Sequence, residues 1–218
     1  MQSWEAELRA RYPVPNTRSI GSYYFSLDGG GRKLVTDAIL NQNIDLMIEI
    51  GGFLCGSTRQ WLESNPKVKV ICIDPWTANF AAILERYDGN PVFEPCFSKI
   101  TDRAAFIASV KENGPFASAI ANCRGFEDRF IPVKAKSPDV LTELHGIGVV
   151  PGLIYFDSDK LLDDLEVALE LFPDAVLSGD DWTWGADQGF PVQKAVRSFC
   201  QKYGFKFESD RATWVINS

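Results

Sequence analysis

Short apolar runs rich in β-formers recur along this chain, and each is followed by a segment long enough for a helix. Residues 44–51 (IDLMIEIG), 68–74 (VKVICID), 130–133 (FIPV), 153–157 (LIYFD) and 175–179 (AVLSG) read as strands. Residues 56–64, 140–144, 161–171 and 190–203 read as helices between and after them. Ser57 or Thr58 is placed to open the first helix, and Pro191 falls in the first turn of the last. Strands that are apolar on both faces and alternate with helices form a parallel sheet covered on both sides. Residues 205–209 and 213–216 can close the chain as a hairpin across Asp210 and Arg211.

The predicted fold class is therefore α/β, a Rossmann-like doubly wound sheet of about seven strands, mostly parallel with one antiparallel C-terminal strand. The 218 residues, 45% of them hydrophobic, are enough for one well-filled core. No linker or shift in composition divides them, so residues 1–218 read as a single domain. Residues 1–40 form an N-terminal helical or lid segment. Residues 79–129 form a less regular helical segment on the substrate side.

A net charge of −7, with no basic stripe, argues against nucleic acid as a partner and for a small molecule. Cys55, Cys72, Cys96, Cys123 and Cys200 are scattered without a CxxC pair, which suits reduced thiols in a cytoplasmic protein. The polar opening MQSWEAELRARYPVP does not read as a signal peptide. No apolar run approaches the roughly 20 residues that span a bilayer, so no membrane association is expected. Oligomeric state is left open, a homo-oligomer included.

The chemistry concentrates at strand ends. Glu49, Gly51, Gly52, Gly56 and Ser57 belong to a glycine-rich turn after the first strand, where the backbone can turn sharply and approach a ligand. A dinucleotide fingerprint needs glycine where Phe53 stands, which disfavours a pyrophosphate and hence an NAD-dependent oxidoreductase. Glu49 suits a ligand bearing an ammonium group. Asp74, ending the second strand, can bind ribose hydroxyls, and Trp76 can stack on a base or pack in the core. Asp157, Asp180 and Asp181 end the fourth and fifth strands. Ligands of open α/β sheets bind outside these carboxyl ends. Converging carboxylates need a cation, and Mg²⁺ with oxygen ligands would supply it; the alternative is that these acids cap helices and face solvent. Lys160 can face the same cavity as a general base or open a helix at the surface. Trp182 and Trp184 can wall an acceptor pocket or pack on the core. His145, the one histidine, lies away from the strand ends, which excludes a histidine-based triad there.

Taken in order, EIGGFLCGST, ICIDPW, ANCRGFEDRFIPVKAKSPDVLTEL, LIYFDSDK and LSGDDW resemble class I methyltransferases that use S-adenosylmethionine (SAM). More narrowly, they are similar to the metal-dependent O-methyltransferases of the cephalosporin-hydroxylase-like and macrolide-sugar group, whose metal arrangement is that of catechol O-methyltransferase. The resemblance implies that Glu49, Gly51 and Ser57 lie in the methionine-binding loop and that Asp74 holds the ribose. It implies Ser137 beside the adenine, a Mg²⁺ or other divalent ion on Asp157, Asp180 and Asp181, and Lys160 as the base. It departs from the family at Cys55, where glycine is usual, and at DSDK, where the sugar enzymes read close to DGDH. The implied activity is methyl transfer to the hydroxyl of a small molecule: a diol, a catechol or a sugar. A metal-independent N- or C-methyltransferase and a non-catalytic nucleotide-binding module remain as alternatives.

Overall fold

The computed structural model describes residues 3–27, 32–158 and 161–217. Its sheet contains β1 (Leu46–Ile50), β2 (Lys69–Ile73), β3 (Phe130–Val133), β4 (Leu153–Phe156), β5 (Val176–Gly179), β6 (Lys206–Asp210) and β7 (Thr213–Asn217). The spatial order is β3-β2-β1-β4-β5-β7-β6. The pairs β1–β2, β2–β3, β1–β4 and β4–β5 are parallel, and β7 runs antiparallel to both β5 and β6. The sheet is thus the one read from the sequence, with β7 as the reversed strand.

Each of the inner strands buries both faces, and period-two alternation sorts their side chains into two cores. Ile48, Ile50, Ile71, Ile73, Ile154 and Phe156 pack with α7 (Asp139–Gly146), α8 (Leu161–Leu171) and α9 (Pro191–Tyr203). Met47, Val70, Cys72, Leu153 and Tyr155 pack on the opposite face. That face is covered by α2 (Lys33–Asn41), α3 (Gly56–Ser64), α4 (Phe80–Tyr87), α5 (Arg103–Asn113) and α6 (Pro115–Asn122). Burying one such Leu, Ile or Phe side chain contributes about 1.5–3 kcal/mol. Segment 79–129 therefore resolves into three α-helices and a 3-10 turn (Glu94–Phe97) that build the second core, with Phe80 at their leading end. No helix among the described residues is long and apolar enough to cross a membrane.

The N-terminal segment, read as helical or a lid, begins with helix α1 (Ser3–Arg11), which packs into the first core. Trp4 and Leu8 are core residues. Lys69 Nζ lies 2.7 Å from Glu5 Oε2, and Arg9 Nη1 donates to the Phe130 carbonyl at 3.4 Å. Both contacts fall at the amino ends of β2 and β3, opposite the carboxyl edge of the sheet. A correction concerns α3. Its N-cap residue is Cys55, in the left-handed region at φ 59° and without a side-chain cap. The hydroxyls of Ser57 and Thr58 turn inward to Glu49 instead.

In the turn after β1, Gly51 leaves no room for a side chain. Gly51 has φ +93°, and a Cβ there would stand 1.8 Å from the Asp157 carbonyl oxygen. Gly89 has φ +74° but nothing within 4 Å of an added Cβ. Gly89→Ala should therefore cost only the backbone strain, on the order of 1 kcal/mol. Gly51→Ala adds a backbone collision and should cost at least about 3 kcal/mol in urea unfolding. Equal losses for the two variants would contradict the close approach of β1 to β4.

Candidate active site

The carboxyl ends of β1, β2 and β4 and the loop after β3 enclose a cavity of about 380 Å³. Gly51, Asp74, Phe80, Ser137, Asp157 and Ser158 are among its walls. Asp74 sits where β2 ends and ties two loops together. Its Oδ2 accepts from the Phe53 N–H at 3.0 Å and its Oδ1 from the Trp76 N–H at 2.6 Å. Burial raises its pKa, and those two backbone donors oppose the rise. Each carboxylate oxygen keeps a further lone pair for a hydroxyl donor in the cavity. Ser137 Oγ donates to Asp164 Oδ2 at 3.1 Å, which fixes this wall against α8.

A second cavity, about 610 Å³, opens between the starts of α8 and α9. Leu161, Leu162, Trp184, Pro191 and Val192 give it apolar walls, and Asp157, Asp163 and Asp181 give it acidic ones. Asp157 and Ser158 line both cavities, so the two meet at the end of β4. Trp184 is 53% exposed and lines this second cavity.

Several expected ligand contacts are instead structural. Glu49 is fully buried on the α3 face of the sheet, where Ser57 and Thr58 both donate to its carboxylate. Neither Glu49 nor Ser57 reaches the cavity. Strand alternation is the reason: Ile50 faces the α8 side, so its neighbour Glu49 faces α3. Gly52 packs against Cys72, whose Sγ would be 2.3 Å from an added Cβ. Trp76 is 3% exposed, donates from Nε1 to the Phe53 carbonyl at 2.7 Å and packs on Phe116 in the second core. Trp182, at 7% exposure, packs on Phe207 beneath Arg197 and is core rather than pocket wall. His145 ends α7, beside Phe172 and far from the carboxyl edge. Lys160 lies outside the described residues.

The acids of β4 and β5 do converge, and the cation among them is one that the sequence reading missed. Arg32, directly before α2, is 3% exposed. Its Nη2 lies 3.1 Å from Asp180 Oδ2, its Nη1 donates to Ser26 Oγ at 3.0 Å, and its Nε donates to the Tyr155 hydroxyl at 3.4 Å. Burial alone would lower the pKa of this guanidinium, but Tyr155, Asp180 and Asp157 outweigh it and raise it. Asp157 is held well above the usual carboxylate range by burial, then by Asp180 and Asp181, with Arg32 opposing. Among the described residues, no group of three or more His, Cys, Asp or Glu side chains is arranged to hold a metal ion. The second oxygen of Asp180 accepts the Asp181 N–H at 3.0 Å. Both Asp180 oxygens are thus engaged by protein donors. The one sequence signal for Arg32 was indirect, namely that clustered strand-end acids require a positive partner.

No protein-family model and no curated protein matches the sequence. Solved structures share the fold. A Staphylococcus aureus protein assigned as a caffeoyl-CoA O-methyltransferase superposes with a TM-score of 0.57 at 12% identity, over 100% of this chain and 93% of its own. The O-methyltransferase TomG from Streptomyces achromogenes, in complex with SAM, gives 0.53 at 14% identity, over 99% of this chain and 89% of its own. An O-methyltransferase from Bacillus cereus in complex with SAH, the demethylated product S-adenosylhomocysteine, gives 0.53 at 15%, over 99% and 90%. At these identities the likeness establishes the Rossmann-like fold that these methyltransferases share.

Glu49 makes the stability of this site pH-dependent. Burial, opposed by the Ser57 and Thr58 hydroxyls, raises its pKa from 4.5 to about 7. Between those values the folded chain holds a proton that the unfolded chain has lost, so the contribution is fully present below 4.5 and is lost as pH rises through about 7. Measured against Glu49→Gln, the wild type should lose on the order of 3 kcal/mol of relative stability between about pH 5 and about pH 8. A difference that is flat with pH would contradict the buried carboxylate.

Proposed function

We propose that this chain is a SAM-dependent methyltransferase acting on a hydroxyl of a small molecule. The observation that carries the reading is the pair of cavities that meet at Asp157 and Ser158. The likeness to O-methyltransferases whose structures hold SAM or SAH supports it. Methyl transfer needs two reactants held in line, and two cavities joined at a strand end suit that need.

The first cavity fits a nucleoside. Its volume is in the range of small-molecule sites, Asp74 offers a carboxylate to ribose hydroxyls, and Ile73 and Phe80 give apolar walls for a base. Bound SAM supplies an electrophilic methyl group on a sulfonium. Ser137 borders the base, and Gly51, bare against Asp157, lets the backbone border the cavity without a side chain in it. The apolar and acidic walls of the second cavity receive the acceptor and place its oxygen near Asp157. Asp157, shared by both cavities, is placed to take the hydroxyl proton as the oxygen attacks and the sulfonium leaves as the neutral thioether. Lys160, three residues on, is the other candidate for that proton. A second reading, transfer to nitrogen, is favoured by Asp157, Asp163 and Asp181 around the acceptor cavity, since carboxylates attract amines.

Calorimetry decides the cofactor. SAH should bind with micromolar affinity and NAD should not, and Asp74→Ala should weaken SAH at least about tenfold. NAD binding as tightly as SAH would overturn the reading. With an acceptor found by screening hydroxyl and amine compounds, Lys160→Ala should slow turnover by about 10²–10⁴-fold if Lys160 is the base. If Asp157 is the base, Asp157→Asn should show that loss and Lys160→Ala should match wild type.

A further inference from the structure

The carboxyl edge of β4 and β5 carries its own cation, and this observation goes beyond the proposed activity. Arg32 is anchored from three directions: Ser26 in the preceding segment, Tyr155 on β4 and Asp180 after β5. Its charge is permanent, because a guanidinium does not lose its proton at any working pH. Asp180 spends one oxygen on this guanidinium and the other on the Asp181 amide. A Mg²⁺ ion would need those oxygens at about 2.0–2.1 Å, in near-ideal octahedral geometry. It would also stand beside a buried positive charge that has no water to screen it. Replacing the guanidinium would leave Arg32 buried without its carboxylate partner, a costly state for a charge at 3% exposure.

We propose that Arg32 takes the place of a divalent ion at this edge, so that the site takes up no metal. Arg32 then acts as a positioning residue. It pairs with the Asp180 carboxylate, acts through space on Asp157 and holds the strand ends that border the acceptor cavity, while its own buried side chain touches no reactant. The inference rests on the methyltransferase reading for its place in a reaction, but not for the ion pair itself.

The test uses the full chain and Mn²⁺, followed by electron paramagnetic resonance. Calorimetric binding of SAH is measured first on the same protein, and its absence would count against the methyltransferase reading while leaving the metal question open to the resonance experiment. Wild type at equimolar Mn²⁺ should show only the free-ion spectrum. Arg32→Met should gain bound Mn²⁺, since Asp180 and Asp157 then lose this cation, whereas Arg32→Lys should keep the wild-type behaviour. A purely structural arginine would not produce that gain. Mn²⁺ held by wild type and released by Asp181→Asn would overturn the proposal, as would a folded Arg32→Met protein that gains nothing. Mn²⁺ held equally by wild type and Asp181→Asn lies elsewhere and leaves the edge metal-free, as proposed. If Arg32→Met does not fold, the wild-type and Asp181→Asn spectra decide alone.

Discussion

The ion pair between Arg32 and Asp180 is the interaction on which the functional edge depends. Adjacent parallel strands place their carboxyl ends side by side, so acids at the ends of β4 and β5 are forced together by the topology. Their repulsion has to be balanced before the edge can be dry and ordered. The chain supplies the balance from its N-terminal half, through a guanidinium that also bonds Tyr155 and Ser26. Because α2 begins at the next residue and packs on β7, the same contact ties the reversed strand to the functional edge. A side chain, unlike an exchangeable ion, makes this balance part of folding.

The same economy governs the glycine turn. Glu49, which looks from the sequence like a ligand for an ammonium group, is consumed in bonding Ser57 and Thr58 beneath α3. Asp74 holds the Phe53 and Trp76 amides, both in residues with positive φ, and so pins the two loops that flank the first cavity. Carboxylates thus shape the pocket from behind. Gly51 remains bare because β4 passes against it.

The fold was legible because its strands are buried on both faces, a pattern that little besides a covered parallel sheet produces. Helices α3 and α8 and strand β3 match their sequence limits, since glycine, proline and apolar spacing mark them locally. The site was legible only as far as strand ends could locate it: Gly51, Asp74, Ser137 and Asp157 line the first cavity. Side-chain direction was not. Trp76 and Trp182 follow strand-end acids, yet their indoles are drawn into apolar cores by the area that they bury. Arg32 was out of reach because its partners come from positions more than a hundred residues away, Tyr155 and Asp180. No local pattern encodes such a contact.

The most direct measurement is a crystal structure of the chain grown with SAH and soaked with Mn²⁺, with anomalous data collected at the manganese edge. The account predicts adenosine density between Asp74 and Ser137, Arg32 still bonded to Asp180, and no anomalous peak among Asp157, Asp180 and Asp181. An anomalous peak at those carboxylates, with the guanidinium displaced from Asp180, would contradict it.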